Sequence, residues 1–218
     1  MSSEEASASD QGILEELMGG FRAWAGGATA RFGASQATII RDLVGQIAQL
    51  VSDDAASGGP PAGAAGAGES GGLGWPDEGP AGPDDLAKMI GLTDNTKLPD
   101  DPVLARLLPD AYRDDPEASG EFRRYTEQGL RSGKVAAART VLATLPPSGG
   151  RVRLSEPEAQ AWLRALNDVR LALGVHLEVT DDFDDRVEEI GADDPRSAYV
   201  EVYQWLAFLQ DSLVRALS

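Results

Sequence analysis

Residues 57–82 set the first limit on what this chain can fold into. The stretch is dominated by Gly, Pro, Ala and Ser, with hydrophobic anchors nearly absent. Ordering such a backbone costs conformational entropy and recovers almost no buried apolar area. It is therefore expected to be a disordered Gly/Pro/Ala-rich insertion. On that reading residues 21–56 and 83–218 form one mainly helical domain, and residues 1–20 are a flexible N-terminal segment. Trp75 interrupts the insertion in Gly74-Trp75-Pro76-Asp77. Its ring either tucks against the fold or stands out as a contact point for a partner.

Outside the insertion, apolar spacing is mostly helical. Behind Ser35, residues Ile39, Ile40, Leu43, Val44, Ile47, Leu50 and Val51 repeat every three or four positions, with Asp53 and Asp54 expected beyond the helix end. A shorter helical piece holds Ile13, Leu14, Leu17 and Met18 and stops at Gly19-Gly20. Pro83 opens a short helix through Ile90, and Pro102 starts another through Leu108 at the first-turn position proline favours. From Asp115-Pro116 the pattern runs through Phe122, Tyr125 and Leu130, pauses at Ser132-Gly133 and resumes from Val135 to Leu145, giving two helices or one kinked helix. Ser155-Glu156-Pro157-Glu158 is a capping box, launching a helix expected to end at Gly174. Asp194-Pro195 opens the last helix, with Tyr199, Val202, Leu206, Leu209, Leu213 and Ala216 on one stripe, read as the central helix of a bundle in preference to a coiled-coil dimer.

The β component is small. Phe21-Arg22-Ala23-Trp24 and Ala28-Thr29-Ala30-Arg31-Phe32 flank Ala25-Gly26-Gly27 as a hairpin, and residues 151–154 and 175–179 are two further candidate strands. The expected fold class is mainly α, a helical bundle with a small β-hairpin or sheet.

Charge and cysteine content bound the function. In 218 residues there are 36 acidic and 19 basic side chains, a net charge of -17, and no cysteine. A fold of this size needs no metal or disulfide staple. A polyanion is a poor duplex binder, so no strong direct DNA binding is expected. Without thiols there are no disulfides, thiolate catalysis, Cys-type zinc sites or direct thiol redox sensing. Met1 to Asp10 is rich in Ser and Glu rather than basic and apolar, and no run approaches about 18 apolar residues, so a cytoplasmic chain without membrane contact is expected.

Motifs that suggest chemistry lack their context. Gly66-Ala67-Gly68-Glu69-Ser70-Gly71 matches a dinucleotide fingerprint, but no strand delivers it and no helix receives it. The overlapping Gly68-Glu69-Ser70-Gly71-Gly72 matches an esterase elbow by composition alone. His176 is the only histidine, and it reads as a half-exposed structural residue in the candidate strand 175–179. The acidic run Asp181, Asp182, Asp184, Asp185, Glu188 and Glu189 departs from a calcium loop at Arg186 and Val187 and reads as a solvated acidic loop. No catalytic, cofactor-binding or metal-binding residue is assigned; an enzyme would have to use Ser70 or the acidic loop.

One segment opposes the overall charge. Between Glu121 and Arg139, Arg123, Arg124, Arg131, Lys134 and Arg139 face only Glu121 and Glu127. Arg123, Arg124, Tyr125, Arg131 and Lys134 are the candidate partner-binding surface. The alternative is that these arginines pair internally with carboxylates.

Several blocks carry a family resemblance: Leu107-Leu108-Pro109-Asp110-Ala111-Tyr112-Arg113-Asp114-Asp115-Pro116, Glu121-Phe122-Arg123-Arg124-Tyr125-Thr126, Gln160-Ala161-Trp162-Leu163-Arg164-Ala165-Leu166-Asn167-Asp168 and Tyr203-Gln204-Trp205-Leu206. Together they resemble an actinomycete AosR-like family, formerly a domain of unknown function encoded near the ClpS adaptor. The resemblance implies a non-enzymatic oxidative-stress transcriptional regulator that contacts a sigma factor or RNA polymerase. Redox sensing in that family is attributed to a cysteine pair, which this chain lacks. The ClpS neighbourhood implies an alternative, an adaptor linked to regulated proteolysis.

Overall fold

The structure, a computed structural model, describes residues 20–57, 99–112, 114–180, 183 and 196–218. The expectations for residues 13–18, 58–82 and 83–90, and for the acidic side chains of residues 181–189, lie outside these, with Trp75, Ser70 and both glycine motifs.

Among the described residues the order is β1 (Arg22–Trp24), β2 (Gly27–Phe32), α1 (Ala34–Ser57), α2 (Pro102–Leu107), α3 (Pro116–Thr144), β3 (Gly150–Ser155), α4 (Glu156–His176) and α5 (Ser197–Leu217). The hairpin forms as expected. Gly26 takes the left-handed turn at φ 87, and a Cβ on Gly27 would overlap the Leu154 carbonyl of β3. The antiparallel sheet has the order β1-β2-β3, with Thr29 opposite both Arg22 and Arg153, and Arg31 opposite Arg151.

Alternation divides the sheet into two faces. Ala28, Ala30, Phe32, Val152 and Leu154 point inward, where Phe21, Phe32 and Trp162 form an aromatic cluster with centroids 5.4 to 5.8 Å apart. Trp162 is fully buried, and its indole nitrogen donates to Thr144 Oγ1 at 2.8 Å. The Phe21 amide donates to Ser212 Oγ of α5 at 2.9 Å, tying the chain before β1 to the C-terminal helix.

The central position belongs to α4, which packs against α1, α2, α3, α5 and the sheet. The expectation that the last helix is central is therefore corrected. α5 lies against α4 and the hairpin, burying Val200, Leu206, Leu209 and Leu213. A polar seam fixes that contact: Arg170 donates to Gln210 Oε1 at 2.6 Å and sits 5.0 Å from the Tyr203 ring centroid.

Three boundaries differ from the sequence reading. α1 begins at Ala34, one residue ahead of Ser35, and Gln36 reaches back to accept from the Gly33 amide at 2.8 Å. It runs through Asp53 and Asp54, because Val51 is buried in the contact with α2 and no glycine or proline intervenes before Gly58. α3 is one continuous helix through Ser132-Gly133, held on either side by the buried Arg131 and the ion-paired Lys134. Its C-terminal carbonyls, Leu142 O and Leu145 O, both accept from Arg41 of α1 at 2.8 Å.

Residues 175–179 are not a strand. α4 continues past Gly174 to His176 and closes in a Schellman arrangement: Val179 N donates to Gly174 O, Glu178 N donates to Val175 O, and Glu178 takes φ 52. Gly174 serves here as a gap under Val179, whose side chain lies 3.7 Å from where a Cβ would stand. The capping box at the other end forms as read, with Glu158 accepting from Ser155 N and Ser155 Oγ at 2.8 and 2.7 Å.

Candidate interaction surface

The basic segment lies on α3, whose pitch spreads its five candidate residues around the helix. Arg123 and Arg131 face inward and are 5% and 6% exposed. Their shared partner is Glu127, four residues from each. Arg131 donates through Nε and Nη2 to Glu127 Oε1 at 2.8 and 2.6 Å, and through Nη1 to Val51 O of α1 at 3.0 Å. Arg123 Nη2 donates to Asp110 Oδ1 at 2.8 Å and Leu108 O at 3.1 Å, while its Nη1 lies 3.5 Å from Glu127 Oε2. In place of two partner-facing charges there is a buried ionic cluster joining α1, the segment after α2, and α3. The i, i+4, i+8 spacing of Arg123, Glu127 and Arg131 carried that signal.

Lys134 faces α4, where its ammonium donates to Asp168 Oδ1 at 2.6 Å. Burial pushes the Asp168 carboxyl above its ordinary value, and the hydrogen bond and charge of Lys134 oppose this with smaller effect. The pair lines a groove of about 550 Å³ between α3 and α4, together with Gly129, Gly133, Ala137 and Arg164. A Cβ on Gly129 or Gly133 would meet nothing within 4 Å, so internal close packing does not account for either glycine.

The outward part of the segment is aromatic. Tyr125 is 69% exposed, Arg124 is half-buried, and Phe122 and Leu130 are exposed on the same helix. Tyr112 packs edge-on to Phe122 with centroids 6.2 Å apart. Leu130 lines the groove, and Phe122 lies about two turns nearer the helix start. Of the five candidates, Tyr125, Arg124 and Lys134 thus remain at or near an accessible face. His176 is exposed in the last position of α4. The groove's buried carboxylate is engaged by its lysine.

Two features escaped the sequence reading. The described residues hold 17 acidic and 15 basic side chains of the chain's 36 and 19, so the described part is nearly neutral and the excess acid lies in the sequence of residues 1–19, 58–98 and 181–195. The outer sheet face carries Arg22, Arg31, Arg151 and Arg153 beside Trp24. The alternation Arg151-Val152-Arg153-Leu154 was its sequence signal; only strand pairing adds the other two arginines.

Among the described residues, no helix is long and apolar enough to cross a membrane. No solved structure matches the chain. A relative from Mycobacterium tuberculosis, named oxidative stress regulator AosR, is 40% identical over 148 residues, covering 62% of this chain and 66% of the relative. One from Mycobacterium leprae, named putative oxidative stress regulator AosR, is 41% identical over 148 residues, covering 62% of this chain and 67% of the relative. The chain therefore aligns with about two thirds of the length of these relatives. The model of a family described as a domain of unknown function, DUF2017, matches residues 18–217 and so takes in every described helix and strand; the chain belongs to that family.

Proposed function

We propose that this chain is a non-enzymatic regulator of the oxidative stress response that works by protein contact with a sigma factor or RNA polymerase. The observation that carries the regulatory reading is the similarity to relatives named oxidative stress regulators. The face of α3 bearing Phe122, Tyr125 and Leu130, with the groove beside it, is the contact surface of this proposal. Exposed aromatic side chains around a concavity supply the anchors that dominate protein interfaces. The chain has no cysteine, and this proposal therefore assigns oxidant sensing to the partner.

The test is binding of the full chain to purified sigma factors and polymerase core, measured by interferometry, with each component treated with peroxide in turn. Binding is expected with at least one of them, weakened about tenfold or more by Phe122→Ala with Tyr125→Ala. It is expected to change only when the partner is oxidised. Failure to bind any sigma factor or polymerase overturns the reading.

A further inference from the structure

The sheet has a second, differently built surface. Its inward face is apolar, while its outward face is made of two rows: Arg22, Thr29 and Arg153 in one, Arg31 and Arg151 in the next. Trp24 closes one end, 46% exposed, with the Arg153 guanidinium 5.3 Å from its ring centroid. The three strands contain no acidic residue. Arg31 and Arg151 stand directly opposite one another, a pairing that like charges disfavour, and neither has an ion pair among the described residues. Of the nearest acids in sequence, Glu156 is exposed in the first turn of α4 directly after β3, and Glu158 is held by Ser155 at the edge of this face, where those hydrogen bonds keep its carboxyl below the ordinary value.

Folding stability does not explain Arg31 and Arg151 placed opposite one another on an exposed sheet face. A ligand that brings carboxylates between them does. We infer that the outer face of β1-β2-β3 docks a short acidic segment of another protein, lying extended along β3. Arg151 and Arg153 are two residues apart on one strand, about 6.6 Å, and alternate carboxylates of an extended chain repeat at that same spacing. Trp24 supplies an apolar anchor beside them. The composition favours a protein over a nucleic acid: arginine and tryptophan without lysine are what interface cores enrich. This surface is separate from α3, so it stands or falls independently of the proposed regulatory contact.

The experiment titrates the full chain with a short labelled peptide alternating glutamate and serine, the same peptide with glutamine, and a single-stranded oligonucleotide of similar length, all by fluorescence anisotropy. The glutamate peptide is expected to bind, to weaken with added salt, and to lose about tenfold in affinity with Arg31→Ser and Arg151→Ser together. Trp24→Ala is expected to weaken it as well, with unchanged circular dichroism. Equal binding of the glutamine peptide, affinity untouched by the arginine substitutions, absence of binding, or preference of the same face for the oligonucleotide would each overturn the inference.

Discussion

Glu127→Gln probes the buried ionic cluster of α3 with almost no change in shape. Glu127 is 3% exposed and takes two hydrogen bonds from Arg131 at 2.8 and 2.6 Å, with Arg123 3.5 Å away. Glutamine keeps an acceptor but removes the charge. Two buried guanidinium groups then lose their shared carboxylate, and Arg123 keeps Asp110, whose side chain is 36% exposed. Breaking a buried pair by neutralising one partner costs about 3–5 kcal/mol, and the retained hydrogen bond places this case near the lower figure. At about 2–4 °C per kcal/mol for a chain of this size, the melting temperature is expected to fall by roughly 6–12 °C. Urea unfolding followed by tryptophan fluorescence, where Trp162 reports the core, measures the loss. The companion variant replaces Arg123 and Arg131 with Met and Glu127 with Leu. Removing the three buried charges removes their desolvation cost, so this variant is expected to lie within about 1 kcal/mol of the original chain or above it. A loss under 1 kcal/mol for Glu127→Gln, or a triple variant worse than the single one, would refute the reasoning.

Other expectations follow from single contacts. Glu178→Gly relieves a left-handed backbone at φ 52 and should stabilise by about 0.5–1 kcal/mol in the same urea assay. Gly129→Ala and Gly133→Ala should each gain about 1 kcal/mol, because a Cβ there meets open space; a loss would mean that the groove is internally constrained. Thr144→Val leaves the buried Trp162 indole N–H without its acceptor and should cost about 1–2 kcal/mol by thermal unfolding. The pH profile of Asp168→Asn follows from the raised carboxyl value of Asp168. Below the unfolded aspartate value both states are protonated and the substitution changes little; as pH rises through the elevated folded value, the original chain loses stability that the asparagine variant keeps. The variant's relative stability should therefore be greater at pH 7 than at pH 3, and a reversed trend in paired urea titrations would show that the Lys134 contact outweighs burial.

Much of the fold was legible locally. The Gly26-Gly27 turn, the Ser155 capping box, the proline starts at Pro102 and Pro116 and the Leu206, Leu209 and Leu213 stripe of α5 each depend on a few neighbouring residues, and each lies where its local chemistry predicts; Tyr199, expected on that stripe, is instead exposed, and Val200 is buried beside it. The misread boundaries were those where a distant contact outweighs a local preference. Ser132-Gly133 does not interrupt α3 because Arg131 and Lys134 are held by residues 80 and 34 positions away. Gly174 does not end α4, because Val179 folds back over it and Glu178 accepts the left-handed backbone.

The candidate surface divides the same way. Sequence alone determined that α3 carries a local basic excess with Phe122 and Tyr125 among it, and that no thiol is present to sense an oxidant. Only the tertiary structure decided which charges reach solvent, because burial depends on what packs against each helical face. It turned Arg123 and Arg131 inward around Glu127, paired Lys134 with Asp168, and left Tyr125 outside. It also brought Arg22, Arg31, Arg151 and Arg153 onto one sheet face from segments more than a hundred residues apart, a juxtaposition that strand pairing creates and local sequence cannot encode.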